Sequence, residues 1–195
     1  MKTKLTLLLL IGFNLLLNSG CEKVIEEPVV EESELNFRND KYYPVNSNTP
    51  YTGRIVSYYE NGQLKRSGNC KDGQDDGLYE SYYENGLLRY SENYKEGEKD
   101  GLSEFYYENG QLRSSKHFKH GEPDGLSEFY HEHGQLKYLG NYKDGELVGS
   151  SVYNYYENGR LRSSKNYKDK KQDGLSEFYY ENGQLACSKN YKNDK

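Results

Sequence analysis

From Gly53 onward the chain repeats itself every 24 residues, and a period of that length decides the fold class before any single residue is weighed. The units read GRIVSYYENGQLKRSGNCKDGQDD, GLYESYYENGLLRYSENYKEGEKD, GLSEFYYENGQLRSSKHFKHGEPD, GLSEFYHEHGQLKYLGNYKDGELV, GSSVYNYYENGRLRSSKNYKDKKQD and GLSEFYYENGQLACSKNYKNDK. Four have 24 residues, the fifth carries one more, and the sixth meets the end of the sequence. A segment this short cannot bury its own apolar face, so neighbouring units must cover one another, as in a solenoid.

Within each unit a Tyr-rich run leads into Asn-Gly, or His-Gly in the fourth, and then into a second alternating run. Asn-Gly between alternating runs predicts a hairpin, and a two-residue type I′ loop would require positive φ at both central residues. Gly62, Gly86, Gly110, Gly134, Gly159 and Gly183 take that turn, while Gly73, Gly97, Gly121 and Gly145 turn the chain into the next unit. The density of Gly, Tyr and Ser argues against helix. The expected fold is all-β, an elongated single-layer antiparallel β-meander or solenoid of six hairpin repeats. With a capping hairpin it has about fourteen strands and a length on the order of 65 Å.

With a two-residue loop, Tyr107 stands opposite Leu112. Alternation then gathers Phe105, Tyr107, Leu112 and Phe118 on one face, and Leu102, Glu104, Tyr106, Arg113, Ser115 and His117 on the other. A longer loop would slide the register and exchange faces. One ladder of tyrosines recurs at fixed phase: Tyr58, Tyr82, Tyr106, Tyr130, Tyr155 and Tyr179.

The pattern G-x-x-x-x-Y-Y-E-N-G-x-L-x-x-x-x-N-Y-K-x-G resembles the bacterial variant of the MORN repeat, in the group often labelled YwqK-like antitoxin proteins. It covers residues 53–195, and residues 35–52 resemble a degenerate capping repeat. The resemblance implies a meander of antiparallel hairpins and brings no catalytic residue.

Ahead of the repeats, residues 1–20 have the layout of a secretory leader: Lys2 and Lys4, an apolar run from Leu5 to Leu17, then Asn18-Ser19-Gly20. The run is shorter than the roughly 20 apolar residues of a membrane span. Ser19-Gly20-Cys21 resembles a lipobox, which implies cleavage before Cys21 and acylation of that cysteine. Residues 21–34, with six Glu, one Lys and one Pro after Cys21, read as a lipidated acidic tether. The expected location is the bacterial cell envelope, with the outer membrane or cell surface favoured.

Hydrophobic residues make up 33% of the chain, and the 22 Tyr come with no Trp, which suits a one-layer sheet whose rings bury area while their hydroxyls stay wet. A formal net charge of −5, a sum that the tether's six Glu and one Lys reach alone, provides no basic surface for nucleic acid. His131 and His133 share a face, whereas His117 and His120 lie a strand length away, so no metal site is expected. The turn glutamates Glu60, Glu84, Glu108, Glu132, Glu157 and Glu181 recur as a product of the period, without the desolvated cleft that would raise one carboxyl for acid catalysis. Neither an enzyme nor a cofactor is expected. Cys70 and Cys187 stand ten strands apart, about 48 Å, too far for a disulfide.

The reading is a membrane-anchored lipoprotein acting as a repeat scaffold or protein-recognition surface. The alternatives are a toxin-neutralising antitoxin or immunity protein and an envelope glycan-binding module. Its partners would be the membrane through the lipid, a protein (a toxin in the first alternative) or a glycan. The tyrosine ladder is the candidate binding row and Cys21 the lipidation site.

Overall fold

The computed structural model describes residues 27–192; the leader and Cys21 lie outside the described residues. The order is β1 (Val29–Glu31), a 3-10 turn at Glu32–Glu34, β2 (Leu35–Arg38) and β3 (Lys41–Pro44), followed by the repeats. The first hairpin is β4 (Gly53–Tyr58) with β5 (Leu64–Lys71), the second β6 (Gln74–Tyr82) with β7 (Leu88–Lys95), and the third β8 (Glu98–Tyr106) with β9 (Leu112–Lys119). Then come β10 (Glu122–Tyr130) with β11 (Leu136–Lys143), β12 (Glu146–Tyr155) with β13 (Leu161–Lys168), the short β14 (Lys171–Gln172), and β15 (Gly174–Tyr179) with β16 (Leu185–Tyr191). All repeat strands belong to one open 14-stranded sheet in which sequence neighbours pair antiparallel. The chain is therefore the all-β meander that the period predicts.

The two turns of each unit exchange the roles expected from Asn-Gly. In the third unit the N–H of Gly110 donates to the Tyr107 carbonyl at 2.9 Å, and that of Tyr107 to the Gln111 carbonyl at 2.8 Å. The loop is therefore three residues, Glu108-Asn109-Gly110, and of these only Gly110 has positive φ (83°). This is a type I turn closed by a glycine bulge. Asn109 serves it differently from a type I′ residue: its side-chain oxygen accepts the N–H of Gln111 at 2.9 Å. The type I′ pair occurs at the other turn, where Asp72 and Gly73 have φ of 51° and 83°, and Glu96-Gly97, His120-Gly121 and Asp144-Gly145 repeat it.

The longer loop corrects the face assignment at one point. Phe105 pairs with Ser114 and Gly101 with Phe118, the register expected for the body of the hairpin, but Tyr106 pairs with Leu112 across a bulge. Leu112 therefore joins the face of Tyr106 and Glu104 rather than that of Tyr107 and Phe105. One face carries the continuous row Ser81–Tyr90–Phe105–Ser114–Phe129–Tyr138, where Tyr90 and Phe105 rings meet at 5.5 Å and Phe129 and Tyr138 at 5.6 Å. The other carries Glu80–Ser91–Glu104–Ser115–Glu128–Leu139.

A single layer leaves little room for a core. The buried apolar side chains, Tyr51, Ile55, Val56 and Cys70, gather at the first unit, and Val30, Leu35 and Tyr42 pack on Tyr51, Ile55 and Cys70. Farther along the array the most buried side chains are serines, with Ser103, Ser127 and Ser176 at 1%, 2% and 0% exposure.

Hairpin β2–β3 forms its own sheet and is tied to the array through the backbone, directly by Tyr42 N–H to the Gly73 carbonyl at 2.8 Å and through Tyr51, whose N–H donates to the Tyr42 carbonyl at 2.9 Å and whose carbonyl accepts from Gly73 N–H at 2.7 Å. The acidic stretch departs from the expected tether. Val29, Val30 and Glu31 pair in parallel with Arg54, Ile55 and Val56, so the segment becomes part of the sheet at β1. Cys70 is buried and unbridged, its Sγ donating to the Tyr51 carbonyl at 3.3 Å, and burial pushes its thiol up to about 11. Cys187 is exposed and also unbridged.

Candidate functional site: the tyrosine ladder

The two consecutive tyrosines of each unit do different work. Hydroxyls of the second, Tyr59, Tyr83, Tyr107 and Tyr156, donate to the carbonyls of Tyr82, Tyr106, Tyr130 and Tyr179 in the next unit at 2.6–2.8 Å. A lysine or arginine lies over each of these rings: Lys65, Arg89, Arg113 and Arg162 at 5.6–6.0 Å. Asn85, Asn109 and Asn158 add bonds to the carbonyls of Glu108, Glu132 and Glu181. Each bond contributes about 0.5–1.5 kcal/mol, and together they latch the first, second, third and fifth hairpins to their successors. Strand alternation alone does not reveal these latches, because it fixes which face a ring takes and not what its hydroxyl reaches.

The first tyrosines form the candidate row. Tyr82 and Tyr106 donate to Glu80 and Glu104 at 3.0 Å, and Tyr179 to Glu177 at 3.1 Å. At Tyr130, burial and then the neighbouring Glu128 carboxylate raise the phenol. Burial, then the carboxylate beside each hydroxyl, raises the Tyr82 phenol and pushes that of Tyr106 up to about 12. For Tyr179 the bond to Glu177 is the leading cause of the rise. Tyr58 is 50% exposed. Tyr155 turns instead to the Leu136 carbonyl at 2.7 Å. The structure therefore brings Tyr82, Tyr106, Tyr130 and Tyr179 of the sequence-derived ladder together with a row of glutamates that sequence reading left among the mixed polar residues. A row of leucines lies beyond them, with Leu78, Leu126 and Leu175 exposed.

The junction of the fourth and fifth units departs from the pattern. Where a latching tyrosine is due stands His131, and its ring stacks parallel on His133 with centroids 5.3 Å apart and edge-on to Tyr155 at 6.1 Å. A cavity of about 470 Å³ opens there, bordered by both histidines, Tyr155, Tyr156, Glu157 and Arg162. Gln135 reaches the Gly159 carbonyl in compensation. Among the described residues no group of three or more His, Cys, Asp or Glu side chains is placed to hold a metal ion.

Burial, then His133 and Lys137, lowers the His131 pKa below its usual value. A folded-state pKa depressed below the unfolded one makes the unfolded state the better proton acceptor, so stability is full above about pH 6.5 and declines as pH falls through the histidine range. Hydrogen exchange, corrected for its intrinsic pH dependence, is expected to speed up in β11–β13 between about pH 7.5 and 5.5 while β6–β9 stay unchanged. His131→Tyr should abolish the difference, and equal acid loosening across every unit would contradict this account.

The MORN repeat variant family model matches the chain at residues 51–72, 75–96, 99–120, 123–144, 151–169 and 172–193. These six segments are the six hairpins, each ending at or beside the second turn or, in the last, just past β16. A search of curated proteins finds no match to this chain.

Proposed function

Because the chain belongs to the MORN repeat variant family, we propose that it is a repeat scaffold and protein-recognition surface of the bacterial cell envelope, held to the membrane by a lipid on Cys21. The observation that carries the reading is the repeated register of the array, latched at four of its five junctions between units. The second tyrosines are spent on holding units together, and this leaves the ladder of first tyrosines, glutamates and leucines as a fixed periodic surface. The reading involves no reaction and no cofactor. The leader and the Ser19-Gly20-Cys21 sequence support the anchoring part.

Two measurements on the native envelope test it. Cys21→Ser removes the acylation nucleophile, so the protein is expected to move into the aqueous phase of a detergent partition or to persist as unprocessed precursor. Normal maturation with unchanged membrane association would refute the anchor. For recognition, a photo-crosslinker placed at Leu102 is expected to yield adducts to another protein. Adducts to polysaccharide alone would replace protein recognition with glycan binding.

A further inference from the structure

We propose that the ladder face of the second to fourth units docks a cationic segment in polyproline II conformation, with a basic side chain at every third position. The proposal rests on the recognition reading above and specifies the face and the partner. On strands β6, β8 and β10 the same triad recurs: Leu78, Glu80, Tyr82; Leu102, Glu104, Tyr106; and Leu126, Glu128, Tyr130. Ser91 and Ser115 stand directly between the glutamates in the ladder. The Tyr82 and Tyr106 hydroxyls donate to one oxygen of Glu80 and Glu104 and leave the second carboxylate oxygen to a ligand. The ion pairs among the described residues are Arg66–Glu32, Lys99–Glu92 and His120–Asp100, none of them on this ladder.

Two basic side chains border the triads on the ladder face, Arg54 beside Leu78 and Glu80 and His117 opposite Leu102. The lysines lie elsewhere: Lys99, Lys116 and Lys165 are held over Phe105, Phe129 and Phe178, whose rows belong to the opposite face. The ladder face thus presents fixed carboxylates beside aromatic and leucine surface, and its complement is a cation on an extended chain.

The spacing selects the conformation of that chain. Glutamates two strands apart recur at about 9.6 Å. A polyproline II helix has three residues per turn and rises about 9.3 Å in that turn, so residues three apart face the same way at nearly the ladder's period. An extended β-strand covers a similar distance in three residues but turns the third to the opposite side. Rows of tyrosine are the usual seat of such segments, whose ordering cost is already low. The match runs for three units and stops at the fifth, where Tyr153 stands at the position of the glutamate.

The test uses the full chain in detergent micelles and two fluorescent peptides of identical composition, one of Pro-Pro-Lys repeats and one with its lysines in adjacent pairs. The expected results are saturable binding of the first, several-fold weaker binding of the second, and about tenfold loss in the variant Glu80→Gln, Glu104→Gln, Glu128→Gln. The matching turn variant, Glu84→Gln, Glu108→Gln, Glu132→Gln, removes the same charge and should stay within about twofold of the native chain. Absence of binding, equal affinity for both peptides, or equal loss in both variants would overturn the proposal. If the ladder variant loses its strand signal, the comparison of the two peptides on the native chain decides alone. Protein adducts at Leu102 that persist in a folded ladder variant would refute this partner while leaving the recognition reading in place.

Discussion

Replacing Gly110 by Val is expected to destabilise the third unit by about 1–3 kcal/mol and to loosen β7–β10 while leaving β15 and β16 as they were. Gly110 sits at φ 83° in the glycine bulge, and an added Cβ would find only Leu87 Cδ1, at an ordinary 3.6 Å. The cost is therefore conformational and not a clash, and Gly110→Asn, which tolerates the left-handed region, should recover much of it. The loop also aims Tyr107 and Asn109 at the Tyr130 and Glu132 carbonyls, so the defect passes into the fourth unit through its latches. Beyond that unit there is no shared core to carry it. Hydrogen exchange followed by mass spectrometry reads the pattern, and uniform loosening of every unit would show one cooperative body instead of coupled neighbours.

Periodicity made the architecture legible because a repeated sequence must find a repeated environment. The hairpin body register followed from the same arithmetic, since Phe105 opposite Ser114 is what a two-residue Asn-Gly loop predicts. The loop itself was not legible. Asn-Gly is compatible with both loop lengths, and the three-residue form is held by one local bond, Gln111 N–H to the Asn109 side-chain oxygen, and by one that exists only in the assembled sheet, Asn109 to the Glu132 carbonyl in the next unit. One slipped pair at the loop was enough to move Leu112 to the other face, while the bulge kept the strand bodies in register. The division of labour between Tyr106 and Tyr107 was hidden for a similar reason, since adjacent residues alternate in face whatever their hydroxyls reach. The departure at His131 was the available signal: a position occupied by tyrosine in the other five units marks a role for the tyrosine.

The acidic stretch shows the opposite failure, in which composition averaged over a segment conceals a short strand. Glutamates dominate residues 22–34, yet Pro28-Val29-Val30 within them is apolar and β-branched enough to pair with the edge of β4. That edge would otherwise expose an unpaired row of backbone groups. Gly53→Ala is expected to undo this cover. The new Cβ would lie 2.3 Å from the Pro28 carbonyl oxygen and 2.6 Å from the Tyr51 hydroxyl, at φ 147°, where a side chain is strained in any case. Pro28 must then move, which breaks its bonds from the Arg54 N–H at 2.8 Å and the Tyr51 hydroxyl at 2.7 Å. Strain and lost bonds together cost on the order of 3 kcal/mol, enough to free a three-residue strand. Protection over β1 should vanish, a glutamate-specific protease should cut within Glu31–Glu34, and β8–β16 should keep their exchange rates. Retained protection at Val29–Glu31 in this variant would mean that β1 is held by contacts other than those of Pro28, and loosening that reached the sixth unit would mean that the cap and the array form one cooperative unit.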